Sequence, residues 1–187
     1  MKNLCGIDEA GRGPLAGSLV VAGVILKNEI VGLNDSKKLT EKKREELFEK
    51  IVKNSDYHIV SFCAEEIDEH GMSKCLQDAL KEIVAKMDTD NFLFDGNSTF
   101  GVDALKTMIK ADTKIPEVSA ASILAKVTRD REMIGFSKIY PDYKFEKHKG
   151  YGTALHVSLI KKYGYCKIHR KSFKIKALEA TLFDNWL

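Results

Sequence analysis

CGIDEAGRGPLAGSLVVAGVIL, residues 5–26, decides how this chain folds. Residues 3–8 are apolar enough for a first strand, and residues 18–26 (SLVVAGVIL) for a second. The glycine-rich turn between them predicts an antiparallel hairpin with an elaborated loop. The first strand runs into two carboxylates, Asp8 and Glu9, just ahead of Gly11-Arg12-Gly13. Neighbouring side chains on a regular strand point to opposite faces. The two acids therefore serve one site only if the strand ends or bulges there, and the glycines favour an ending.

Outward from this hairpin, Thr40 is placed to cap a helix over residues 40–53, with Leu47, Phe48, Ile51 and Val52 as its apolar stripe. Residues 57–64 alternate like a third strand. Residues 65–87 read as helix broken near Gly71, burying Leu76, Leu80, Ile83, Val84 and Met87. A short strand over residues 91–95 stops on Asp95 before the turn signal Gly96-Asn97. Residues 105–109 fit strand and helix equally. Pro116 suits the first turn of a long helix over residues 116–138. The small residues Ser119, Ala120, Ala121, Ser122 and Ala125 would let that helix lie close against a sheet. A last helix spans residues 153–164 and ends at Gly164. Leading strands followed by alternating helices and strands give an α/β fold with a central mixed sheet flanked by helices.

Four acids stand out: Asp8, Glu9, Asp95 and Asp112, each after an apolar stretch or just before a helix. Taken singly, such an acid also reads as an exposed turn residue. That alternative is weakest for Asp8, which is approached through Cys5, Gly6 and Ile7. Converging at one sheet edge, the four would repel one another unless divalent cations sat between them. Phosphodiester hydrolysis at two metal ions needs oxygen ligands and no histidine base. None of the five histidines falls in these segments, and His148, in KHKGYG, reads as a surface loop residue.

A length of 187 residues bounds the chain to one domain with room for a small appended subdomain, and 44% hydrophobic content suffices for a core. The four cysteines form no CxxC pair, which argues against zinc and a disulfide framework and for free thiols in a reducing compartment. No signal-peptide pattern is visible, and the longest apolar run, residues 19–26, is too short to span a bilayer. A soluble, cytoplasmic protein with no membrane partner is expected, a monomer by default. Net charge is only +3, but residues 126–176 hold 14 Lys/Arg against 4 Asp/Glu. That asymmetry is the footprint of a polyanion binder, without a helix-turn-helix or zinc pattern.

GIDEAGRGPLAGSLVVAGV, DSKKLT, FDGN, IKADTKIPEVSAASILAKVTRDREM, HKGYGT and HRKSF, spread in this order over residues 5–173, together resemble the ribonuclease HII family. The resemblance implies a ribonuclease H-like fold, with a catalytic domain over residues 1–140 and a basic C-terminal helical subdomain over residues 141–187. It implies endonucleolytic cleavage of the RNA strand of RNA–DNA hybrids and nicking on the 5′ side of single ribonucleotides in duplex DNA. Products would end in 3′-hydroxyl and 5′-phosphate, the chemistry of ribonucleotide excision. By the same resemblance, Asp8, Glu9, Asp95 and Asp112 hold two Mg²⁺ or Mn²⁺ ions. Gly11, Arg12 and Gly13 match the substrate-sensing loop, and Tyr151 matches the residue that packs on the deoxyribose after the ribonucleotide. Lys37, in Asp35-Ser36-Lys37-Lys38, reads either as a phosphate contact or as a solvated lysine at a helix start. Lys126 and Asp130, four apart, suit a helix ion pair. The tail departs from the family pattern: KIKAL replaces a segment where members often carry proline, and ATLFDNWL does not map. Its apolar residues Leu182, Phe183, Trp186 and Leu187 suit either packing or contact with a replication clamp.

Two other readings compete. A type-three ribonuclease H carries an N-terminal substrate-binding domain, for which the seven residues before Asp8 are expected to leave no room. A catalytically silent hybrid-binding module would have lost at least one of the four acids.

Overall fold

A computed structural model describes residues 3–175, so the tail at residues 176–187, with its expected clamp contact, lies outside the described residues. The hairpin forms as the sequence predicts: β1 (Cys5–Ala10) pairs antiparallel with β2 (Leu19–Leu26). After β2 come α1 (Glu41–Asn54), β3 (Ser55–Phe62), α2 (Ala64–His70) and α3 (Met72–Lys86). The chain continues through β4 (Phe92–Asp95), β5 (Leu105–Met108), α4 (Pro116–Ile139), α5 (Phe145–His148) and α6 (Ala154–Tyr163). The sheet order is β3-β2-β1-β4-β5, antiparallel on the β3 side and parallel from β1 to β5.

Local chemistry accounts for the element ends. The Thr40 hydroxyl accepts from Lys43 N at 3.2 Å and caps α1. Gly71, at φ +82°, breaks the helical stretch into α2 and α3, a turn most side chains resist. Residues 105–108, ambiguous in sequence, become strand because Phe92 to Asp95 offer them a parallel partner.

The two faces of β1 are packed differently. Cys5 and Ile7 join the core with Leu76, Leu80 and Ile83 of α3. Ala10, with Val20, Ala22 and Val24 of β2, joins Ala120, Ala121, Ile123 and Leu124 of α4 and Leu47 and Ile51 of α1. Gly6 lets α4 lie on the sheet: a Cβ there would meet the backbone of Glu117 and Val118 at 2.3 Å.

The expected end of the first strand is corrected. Glu9 and Ala10 stay in the ladder, opposite Val21 and Val20. The hairpin partner sustains the strand past the acids, and Gly11, at φ +93°, ends it. Asp8 and Glu9 therefore leave the strand on opposite faces, yet both line one cleft, so a shared site does not require the strand to end between them.

His148 is also corrected: it is buried, not a surface loop residue. It stacks on His156 with ring centroids 4.2 Å apart, in a small core with Phe145 and Tyr143. Its Nε2 is 2.9 Å from Tyr143 O, and Gly150 N donates to its Nδ1 at 3.2 Å. His156 Nδ1 is 3.0 Å from Tyr151 O, its Nε2 is 3.1 Å from His169 Nε2, and Cys166 N donates to His169 Nδ1. This chain of bonds needs neutral rings, since an imidazolium offers no acceptor. Burial, foremost, lowers His156 and His169 to about 4. The unfolded chain would take up protons near pH 6.5 that the folded one refuses. The cluster's contribution to stability is thus complete above pH 6.5 and is lost as pH falls through about 4. Ring carbon and nitrogen NMR shifts of His156 and His169 should stay those of neutral tautomers down to about pH 5. A ring titrating near 6.5 would contradict this arrangement.

Candidate active site

The parallel pairing of β1 with β4 ends at Ile7 opposite Phe94, which sets the next residues, Asp8 and Asp95, side by side. Asp112 arrives from a single 3₁₀ turn, Ala111–Thr113, just before α4. One carboxylate oxygen from each of Asp8, Asp95 and Asp112 lies within 4.8 Å of the other two. Asp8 and Asp112 are buried. The backbone holds the group: Glu9 N donates to Asp8 Oδ1 at 2.7 Å, and Ala111 N donates to Asp95 Oδ1 at 3.2 Å. Ser119 Oγ, on the first turn of α4, donates to the Asp112 carbonyl at 2.6 Å.

Packing three acids together has an electrostatic consequence. Burial, then the Glu9 charge, pushes Asp8 well above the usual carboxylate range, and the Ser122 hydroxyl partly opposes it. Burial, then Asp95, raises Asp112 to about 6. Burial raises Glu9 too, with Arg12 opposing. Glu9 stands outside the group of three. Its Oε1 is 3.7 Å from Arg12, and its Oε2 is buried without a hydrogen-bond partner. An orphaned buried oxygen beside three crowded carboxylates suits a hard divalent cation, which takes oxygen ligands.

The site opens into a cleft of about 450 Å³ lined by Asp8, Glu9, Asp35, Lys37, Asp95 and Asp112, among others. The structure thus brings Lys37 to the acids, and its charge opposes the upward shifts of Glu9 and Asp112. The Lys37 loop is pinned from below. Ser36 Oγ and Ser122 Oγ are 2.9 Å apart, and Arg44 donates to Ser36 O and Leu39 O. Arg44 also pairs with Asp130, which Lys126 holds at 2.8 Å as the i,i+4 spacing predicts.

Gly11 and Gly13 play different parts. A Cβ on Gly11 would meet Ser18 O at 2.3 Å, whereas one on Gly13 would meet nothing within 4 Å. Arg12 is exposed and sits over the Phe100 ring at 5.4 Å. Tyr151 is 41% exposed, its ring over Arg129 at 5.6 Å and Lys126 at 5.7 Å.

The model of the family described as Ribonuclease HII matches residues 5–176. The chain belongs to the ribonuclease HII family. A ribonuclease HII of Sulfurovum sp. (strain NBC37-1) is 65% identical over 183 residues, 97% of each chain. That of Aliarcobacter butzleri (strain RM4018) is 60% identical over 180 residues, 95% of this chain and 94% of its own. The solved structure of the PCNA:RNase HII complex from Archaeoglobus fulgidus superposes with a TM-score of 0.82 at 29% identity. It covers 93% of this chain and 96% of that one. The chain is a ribonuclease H hydrolase with the ribonuclease H-like α/β fold, and its buried acid cluster is consistent with metal binding.

The sequence assigns no role to Arg129 or Arg170. Both fall in the basic stretch, yet they are buried, at 0% and 1% exposure. Each lay inside a quoted motif, but no periodicity marks a charged side chain as interior. Among the described residues, no helix is long and apolar enough to cross a membrane.

Proposed function

We propose that this ribonuclease HII cleaves the RNA strand of RNA–DNA hybrids and nicks duplex DNA on the 5′ side of single embedded ribonucleotides. The meeting of Asp8, Asp95 and Asp112 within 4.8 Å, beside the orphaned Glu9 oxygen, carries this reading. These four acids would hold two Mg²⁺ or Mn²⁺ ions, whose chemistry is to activate a water and stabilise the leaving 3′-oxygen. The crowded carboxylates must be deprotonated to bind cations, so acidification toward the raised Asp112 value of about 6 weakens metal binding.

The neighbouring loops supply recognition. The open side of Gly13 admits a sugar edge, where a 2′-hydroxyl distinguishes RNA from DNA. The exposed Tyr151 ring offers a face for the next, deoxy, sugar. Lys37 stands in the cleft as a phosphate contact. The exposed Lys147, Lys161, Lys162 and Lys167 extend positive charge along the C-terminal segment, suiting a duplex backbone. A reducing cytoplasm suits four free cysteines. Contact with a replication clamp belongs to the tail at residues 176–187; the solved Archaeoglobus fulgidus relative is itself in complex with PCNA.

The test is cleavage of a duplex carrying one ribonucleotide, beside an all-DNA duplex, with Mg²⁺, Mn²⁺ or chelator. Metal-dependent nicking 5′ of the ribonucleotide alone is expected. Binding without cleavage in every ion would sink the reading and leave a hybrid-binding module.

A further inference from the structure

Two buried arginines hold the loop at residues 11–18, and one of them, Arg129, also ties it to the Tyr151 loop. Arg170 donates through Nε to Gly17 O at 3.0 Å and through one terminal nitrogen to Pro14 O at 2.9 Å and Arg12 O at 3.3 Å. Its other terminal nitrogen reaches Gly11 O at 2.6 Å, and its backbone N–H donates to Leu15 O at 2.8 Å. Arg129 donates through Nε to Ser18 O and through one terminal nitrogen to Ala16 O, each at 2.9 Å. Its other terminal nitrogen crosses to Lys149 O at 2.9 Å, two residues before Tyr151, whose ring lies over the same guanidinium. The two loops also touch directly: Leu15 N donates to Gly150 O at 2.8 Å, and a Cβ on Gly150 would meet Ala16 O at 2.3 Å.

Burying two guanidinium groups is expensive, and apolar side chains often give equal or better stability. What they provide is geometry. A planar fork with five fixed donors sets several carbonyls at once, which an apolar contact or an ammonium does not do. With its carbonyls drawn inward, the loop leaves the open side of Gly13 to a substrate.

We propose that Arg129, with Arg170 as its anchor, is a positioning residue that sets the spacing between the Gly11–Gly13 loop and Tyr151, and thereby the preference for a ribose followed by a deoxyribose. This rests on the reading given under Proposed function. In that reading one loop meets the ribose and the other the next sugar, so their separation measures the junction.

The variants are Arg129→Lys and Arg170→Lys, which keep the charge and lose the fork. For each, kcat and KM are measured on a duplex with one ribonucleotide and on one with a long RNA tract. Thermal melting, Mn²⁺ titration and amide hydrogen exchange accompany them. Arg129→Lys should lower the single-ribonucleotide to tract ratio of kcat/KM about 10-fold, chiefly in kcat, since small misplacements are costly there. Tract cleavage should stay within about 3-fold and Mn²⁺ affinity unchanged. Exchange should rise together at residues 11–13 and 149–151. An unchanged ratio, or a parallel fall on both duplexes, overturns the proposal. If Arg129→Lys fails to fold, Arg170→Lys carries the same test; failure of both makes the arginines framework and rejects the role. A wild-type protein that cleaves neither duplex would defeat the functional reading instead, and joint exchange of the two loops would still decide whether Arg129 couples them.

Discussion

Asp95→Asn is expected to reduce metal-dependent cleavage about a thousandfold while making the metal-free protein more stable. The substitution is nearly isosteric, and its amide oxygen can still accept from Ala111 N, so the end of β4 should keep its shape. What disappears is one charge among carboxylates already within 4.8 Å of each other. A bound cation stabilises transition-state charge by several kcal/mol, and roughly 4 kcal/mol corresponds to a thousandfold in rate. Without metal the sign reverses. Asp95 is the second cause, after burial, of the rise of Asp112 to about 6, and it also raises Asp8. A raised carboxyl favours folding below pH 3.8 and loses that contribution as pH climbs through about 6. Removing Asp95 should therefore add about 1 kcal/mol, or about 2–4 °C in Tm, above pH 6 and fade below it. Saturating Mn²⁺ should invert the order, since wild type gains about 2.7 kcal/mol at a hundred times Kd and the variant less. Melting curves with and without Mn²⁺, paired with the nicking assay, test both halves. A variant that loses activity and stability together would make Asp95 a structural residue.

The same acids show how far the sequence could be read. Asp8 and Asp95 stand out because each ends an apolar run, and Asp112 because it sits just before a long helix; the pairing of β1 with β4 sets the first two side by side. Glu9 stands out in the sequence as an acid, but its geometry does not. Whether a strand stops at an acid depends on its partner, and β2 is long enough to keep Glu9 in register. The interior role of Arg129 and Arg170 is invisible in sequence for a related reason. Their donors are satisfied by carbonyls 20 to 159 residues away. No local window contains those partners, whereas His148 is bonded within its own turn, to Tyr143 O and Gly150 N, and no periodicity marks that turn as buried. Lys126 and Asp130, whose partners are each other, were read correctly from spacing alone.

Gly6→Ala should unsettle both the fold and the site through a single methyl group. Its Cβ would stand 2.3 Å from Glu117 C and Val118 N. Those are backbone atoms of a long helix, not the end of a flexible side chain, so α4 must retreat or β1 must bend. Overpacking of this kind costs about 3 kcal/mol, or about 6–12 °C in Tm for a domain of this size. The damage does not stay local. The first turns of α4 carry Ser119, which holds the Asp112 carbonyl, and Ser122, which reaches both Ser36 and the Asp8 carboxylate. A retreating helix carries Asp112 away from Asp8, so the protein still folded at low temperature should bind Mn²⁺ more weakly and cleave up to about a hundredfold more slowly. Gly135→Ala supplies the control on the same helix. An added Cβ there meets nothing within 4 Å, and replacing a mid-helix glycine should stabilise by up to about 1 kcal/mol. If Gly6→Ala melts within about 2 °C of wild type and keeps its Mn²⁺ affinity, the close approach of α4 to β1 is not what places Asp112. If it melts early and binds metal poorly while Gly135→Ala does neither, the glycine three residues from Glu9 sets the geometry of the acids.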